Sequence, residues 1–119
     1  GNRAEVSGAA VFGFDSGDAS WTFMHNDGTS TATKDALTGT FSTSDTAACF
    51  EARIYIQSNT TTVYYSLESL NGGSLYENTT STNIPAVTTL LSPQIWANNG
   101  VSVIAAAIDV VSQYIETDY

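Results

Sequence analysis

His25 is the single imidazole in 119 residues, so any nucleophile–His–acid triad has to be built around it. It adjoins Asn26-Asp27-Gly28, a turn signal, with neither a Gly-x-Ser-x-Gly elbow nor a Cys/His arrangement elsewhere. A surface or turn histidine is the expectation. Cys49 is alone, so no intrachain disulfide can form and zinc-ligand spacing is absent. With Ala47, Ala48 and Phe50 beside it, Cys49 reads as a structural thiol. The 12 Asp and Glu residues supply carboxylate pairs by chance, but a short single domain offers only a shallow cleft for a glycosidase dyad. The expectation is no enzyme activity and no cofactor. Asp15, Asp18 and Asp27 are hard oxygen donors suited to calcium and are the metal candidates. They lack the EF-hand pattern, and turn-forming Asp is the commoner explanation for them. Asn71-Gly72-Gly73 has no following Lys, so it is a hairpin turn and not a phosphate loop.

Aromatic and amide side chains carry the remaining recognition chemistry. Trp21, Trp96, Tyr64, Tyr76 and Tyr114 have rings suited to stacking on sugars, and the same residue types fill β-cores with a polar tip at the boundary. Trp21 is assigned to the core. Trp96 lies beside the Asn98-Asn99-Gly100 turn, where exposure is expected. Trp96, Asn98, Asn99 and Tyr76 are therefore the ligand-binding candidates. Asn59-Thr60-Thr61 and Asn78-Thr79-Thr80 match glycosylation acceptors, a pattern that arises by chance in a Thr- and Asn-rich chain.

These side chains need strands to hold them. Turn signals at Asp15-Ser16-Gly17-Asp18, Asn26-Asp27-Gly28, Ser58-Asn59, Asn71-Gly72-Gly73 and Asn98-Asn99-Gly100 punctuate the chain at the spacing of a sandwich or barrel. Between them, 9–14 is short and apolar, and 20–25 alternates, with Trp21 and Phe23 on one face and Thr22 and Met24 on the other. In 50–56, Phe50, Ala52, Ile54 and Ile56 face one way and Glu51, Arg53 and Tyr55 the other. The run 61–69 answers with Val63, Tyr65 and Leu67 inward, so these two runs form the clearest hairpin. The expected core is Phe50, Ile54, Ile56, Val63, Tyr65 and Leu67. Weaker strands are expected at 74–79, 87–91 and 93–97, with Pro85 and Pro93 in loops, strand starts or edges. The Thr/Ser-rich stretch 29–46 reads as a strand with long loops. The run 101–115 fits both a helical face and a pair of strands; its β-branched content favours strands. No repeat of 20–50 residues is present.

Composition bounds the rest. The length fits one domain with one core. Apolar residues are 42% of the chain and charged residues only 13%, and 17 Thr, 14 Ser and 8 Asn supply the polarity instead. That balance suits a β-protein with many loops. The net charge is −9, with Arg3, Lys34 and Arg53 as the only cations. Such a surface repels phosphate backbones and anionic membranes, so no nucleic-acid partner is expected. No run of 18 or more apolar residues occurs, so no membrane insertion is expected. The chain opens on Gly-Asn-Arg without Met and is read as the C-terminal fragment or processed product of a longer chain.

The motif order supplies a resemblance. Trp21-Thr22-Phe23-Met24-His25-Asn26-Asp27-Gly28 is followed by Tyr55, the 63–67 strand and Leu70-Asn71-Gly72-Gly73. Next come Asn83-Ile84-Pro85-Ala86, Leu90-Leu91-Ser92-Pro93-Gln94 and Trp96-Ala97-Asn98-Asn99-Gly100. The chain closes on Ile108-Asp109-Val110 and Tyr114-Ile115-Glu116-Thr117-Asp118. From about Val11 to Tyr119 this resembles the C-terminal jelly-roll (concanavalin-like) modules of bacteriophage tail fibres, tail spikes and related virion structural proteins. The resemblance implies an all-β antiparallel β-sandwich, lectin-like, spanning 1–119 as a single domain. It also implies a homo-oligomer, with a trimer favoured, at the virion surface or outside the cell. Its partner would be a host surface glycan or protein. The alternatives are a carbohydrate-binding module of non-viral origin and a cell-surface adhesin or filament subunit.

Overall fold

The structure, a computed structural model, describes residues 8–37, 41–45, 47–57, 59–89, 91–95, 97 and 107–116. Six strands are present: β1 (Ala9–Gly13), β2 (Thr22–Asn26), β3 (Thr33–Ala36), β4 (Phe50–Ile56), β5 (Val63–Ser69) and β6 (Leu75–Thr80). They form two three-stranded antiparallel sheets in the orders β1-β2-β3 and β4-β5-β6. No helix occurs among the described residues. The chain is all-β.

The turns follow from residues that tolerate a left-handed backbone. Gly28 sits at φ 89° and Gly73 at φ 70°, conformations that cost a Cβ-bearing residue. Asn59 takes the same region at φ 59° in the β4–β5 connection. Asp27 completes the turn after β2: its Oδ1 accepts from the Thr29 N–H at 2.8 Å, the Thr29 hydroxyl at 2.9 Å and the Ser30 N–H at 3.0 Å. This is the Asx geometry in which a side-chain oxygen stands in for a backbone turn.

All six strands lie in one compact unit, and side chains from β1, β2, β4, β5 and β6 meet in one core. Phe23, Leu37, Phe41, Val63, Tyr65 and Leu67 are buried together, with Phe12, Trp21, Phe50 and Tyr76 packed against them. The rings of Phe23 and Tyr65 stack at 3.8 Å and 13°, joining the central strands of the two sheets. Phe12 flanks this stack, and Trp21 lies 5.5 Å from Phe50. β2 is buried along all five residues, so Thr22, Met24 and Asn26 are enclosed as well as the Phe23 and His25 face.

Several expectations need correction. Ile54 and Ile56 were assigned to the core but are 42% and 43% exposed. Their direct neighbours Tyr65 and Val63 are 3% and 1% exposed. The cover over these rows therefore ends at the central strand, and the β4 edge overhangs it. Cys49 is exposed, where a structural thiol was expected. The weak strands at 87–91 and 93–97 do not form among the described residues. A turn bond from the Thr89 N–H to the Ala86 carbonyl occupies part of the first run, and Pro93 cannot donate to a ladder. The described residues from Leu91 onward belong to a second unit. Residues 107–116 within it are neither strand nor helix and are exposed throughout, so the expected C-terminal strands are not formed there. Residues 101–106 lie outside the described residues.

Candidate functional site

His25 is where the structure departs furthest from the sequence expectation. It is 1% exposed, so it is a buried strand residue and not a surface or turn histidine. The reason is register. β2 alternates, and His25 shares the inward face with Phe23, whose ring lies 5.7 Å away. Its Nδ1 lies 3.0 Å from the Asn83 carbonyl oxygen and its Nε2 lies 3.4 Å from Asp35 Oδ2. A carbonyl only accepts, so Nδ1 carries the hydrogen. The same Asp35 oxygen accepts from the Tyr65 hydroxyl at 3.1 Å. The His25–Asp35–Tyr65 chain thereby crosses from one sheet to the other. Burial, and secondly the Asp35 carboxylate, push the Tyr65 phenol well above its ordinary value. Both imidazole nitrogens lie within 3.4 Å of a protein oxygen, and the ring is enclosed.

Asn83 anchors this network from outside the strands. It takes φ 51°, and its amide nitrogen donates to the Thr31 carbonyl at 2.8 Å and the Thr33 hydroxyl at 2.9 Å. Its Oδ1 accepts from the Asp27 N–H at 3.0 Å. One side chain thus ties the turn after β6 to the β2–β3 hairpin.

The three calcium candidates are held in two places. Asp15 and Asp18 converge on the Lys34 ammonium at 3.0 and 2.6 Å. Asp18 Oδ2 also accepts from the Asp15 N–H at 2.8 Å. That backbone bond first, and Lys34 second, hold the Asp18 carboxyl below its ordinary value. Asp27 is used in its own turn, and the Thr29 backbone and hydroxyl lower its carboxyl first. Among the described residues no group of three or more His, Cys, Asp and Glu side chains is placed to hold a metal.

Recognition chemistry collects instead on the outward face of the β4-β5-β6 sheet. The register puts Arg53, Ser66 and Glu77 side by side in one row and Tyr55, Tyr64 and Thr79 in the next. They line a shallow, open depression of about 470 Å3. Arg53 is fixed by Glu51 at 2.7 Å and Glu68 at 3.1 Å. The Tyr55 and Tyr64 rings lie 6.0 Å apart, tilted by 43°. Of these six, sequence reasoning named only Tyr64 as a ring for stacking on sugars. The alternation of 50–56 that placed Arg53 and Tyr55 together, combined with the β4–β5 pairing, was the available signal.

Of the sequence-predicted ligand residues, Tyr76 lies in β6 on the inward face, half-buried, with its ring 6.4 Å from Tyr65. Its hydroxyl accepts from the Asn78 amide at 3.3 Å. Trp96, Asn98 and Asn99 lie outside the described residues. Comparison of the chain with protein-family models, with curated proteins and with solved structures returned no match.

Proposed function

We propose that the chain is a non-enzymatic structural module of a virion, carried on a phage appendage or as a capsid decoration. It attaches to a glycan or protein on the host surface. Its two sheets are the halves of a jelly-roll β-sandwich of lectin type, and it works as a homo-oligomer, a trimer by preference, at the virion surface. The observation that carries this reading is how the polar side chains are used. His25, Asp15, Asp18, Asp27 and Asp35 are all engaged in bonds that hold the fold together. The open polar surface on β4-β5-β6 is made of tyrosines, hydroxyls, the Asn78 amide, the Glu77 carboxylate and one carboxylate-clamped arginine. Tyrosine presents a large, rigid contact area with a polar tip at low entropic cost, which suits recognition more than catalysis. A carbohydrate-binding module of non-viral origin shares that observation and differs in being monomeric. An adhesin subunit differs in forming open filaments.

The test is adsorption of the labelled chain to a panel of bacterial and eukaryotic cells. Saturable binding is expected on at least one cell type. Loss of binding after periodate oxidation of the cells identifies a glycan receptor, and loss after protease treatment identifies a protein one. Absence of saturable binding to every cell type contradicts the attachment reading. Trp96→Ala tests the loop candidate in the same assay: unchanged adsorption removes Trp96 as the contact.

A further inference from the structure

We infer that the outward face of β4-β5-β6 is a binding site for a neutral oligosaccharide, with Tyr64 and Ser66 at its centre; this rests on the attachment reading and names its ligand class. The first observation is Ser66. It is only 8% exposed although it lies on the outward row between Arg53 and Glu77. Its hydroxyl makes no hydrogen bond among the described residues. A buried polar group without a partner is a departure that calls for water or a ligand, and a ligand hydroxyl replaces such a water with little loss.

The second observation is what surrounds that hydroxyl. Tyr55 and Tyr64 remain 59% and 46% exposed. They lie in adjacent strands with their rings 6.0 Å apart and tilted by 43°, so two aromatic faces stand beside the Ser66 floor. A pyranose offers matching chemistry, with an apolar C–H face for a phenol ring and equatorial hydroxyls for the groups around it. The Arg53 fork supplies donors, pre-positioned by Glu51 and Glu68. Glu77 has no ion pair among the described residues and supplies an acceptor across the row from Arg53. A depression of about 470 Å3 is within the range of small-ligand sites.

Charge selects among sugars. One guanidinium stands among three carboxylates, Glu51, Glu68 and Glu77, on a chain of net charge −9. Sialylated and sulfated glycans are repelled by that field, and cations find no convergent donor set. A neutral, polyhydroxylated ligand remains.

The experiment is an NMR titration of the full chain, following backbone amides. The probes are neutral tetrasaccharides of β-linked glucose, mannose, galactose and N-acetylglucosamine, with sialyllactose and a heparin tetrasaccharide as anionic controls. At least one neutral sugar is expected to give saturable shifts centred on Tyr64, Ser66 and Glu77, with none from the anionic probes. Tyr64→Ala should weaken that binding about tenfold, and Glu77→Gln about threefold, with the amide spectrum elsewhere and the Tm unchanged. Glu77 is an exposed strand residue, so its variant keeps the test open if Tyr64→Ala fails to fold. Neutral-sugar shifts centred elsewhere, including the 96–100 segment, overturn this site and leave the attachment reading standing. Preference for an anionic probe overturns the ligand class. Silence from every sugar overturns the inference, while cell adsorption decides the attachment reading separately.

Discussion

Asn83 shows how much of the fold can depend on one amide. It holds a left-handed backbone, at φ 51°, and bonds three separate positions of the β2–β3 hairpin. Asn83→Ala is expected to lower stability by about 1–3 kcal/mol through the lost side-chain bonds. Asn83→Gly loses the same bonds but not the tolerance for positive φ, so it should be about 1 kcal/mol more stable than the Ala variant. Urea unfolding of the two checks this, and a Gly variant less stable than Ala contradicts the assigned backbone role. Tyr65 gives a pH signature. Because its phenol is raised above 10.0, its contribution to stability is fully present below about pH 10 and is lost as pH rises further. The urea midpoint should fall as pH rises above about 10, and fall less in Tyr65→Phe; equal losses in both proteins contradict the raised Tyr65 phenol. None of this network was legible residue by residue. The alternation that paired Trp21 with Phe23 also carries His25 inward, but the adjacent Asn-Asp-Gly turn pointed to the surface. Asn83 gave no local signal, because its partners lie about 50 positions away.

Elements were more legible, since strand periodicity is a local property. β4 spans the seven residues that alternate in sequence, and β5 and β6 fall within one or two residues of their expected runs. Edge position was the hidden variable. Alternation says which way Ile54 and Ile56 face, but it cannot say where the cover ends. Ile54→Thr should therefore cost less than about 1 kcal/mol, whereas Leu67→Ala, in the enclosed central strand, should cost about 2–5 kcal/mol. Comparable losses would contradict the overhang. The Lys34 clamp joins β3 to the Asp15–Asp18 turn. Since the Asp15 N–H is the first cause of the lowered Asp18 carboxyl, Lys34→Met should return it only part of the way to 3.8. An NMR titration of that carboxyl reads the outcome, and full return contradicts the ranking. Asp18 contributes stability above its ordinary value, and this is lost as pH falls through its lowered one.

Across the whole molecule, composition set the class of structure and did not set the site. Few charges and many Thr, Ser and Asn announced strands and loops, and all six described elements are strands. The expected ligand residues came from loop signals, whereas the open polar site forms only when three strands align. On the proposed reading, a shallow face of this kind would bind each ligand weakly, and attachment would depend on several copies acting together. Oligomeric state is therefore the measurement on which the reading rests. Light scattering of the purified chain over a concentration series should give a stable trimer, three times the 12.6 kDa of one chain. A strict monomer at every concentration would contradict the virion-appendage reading.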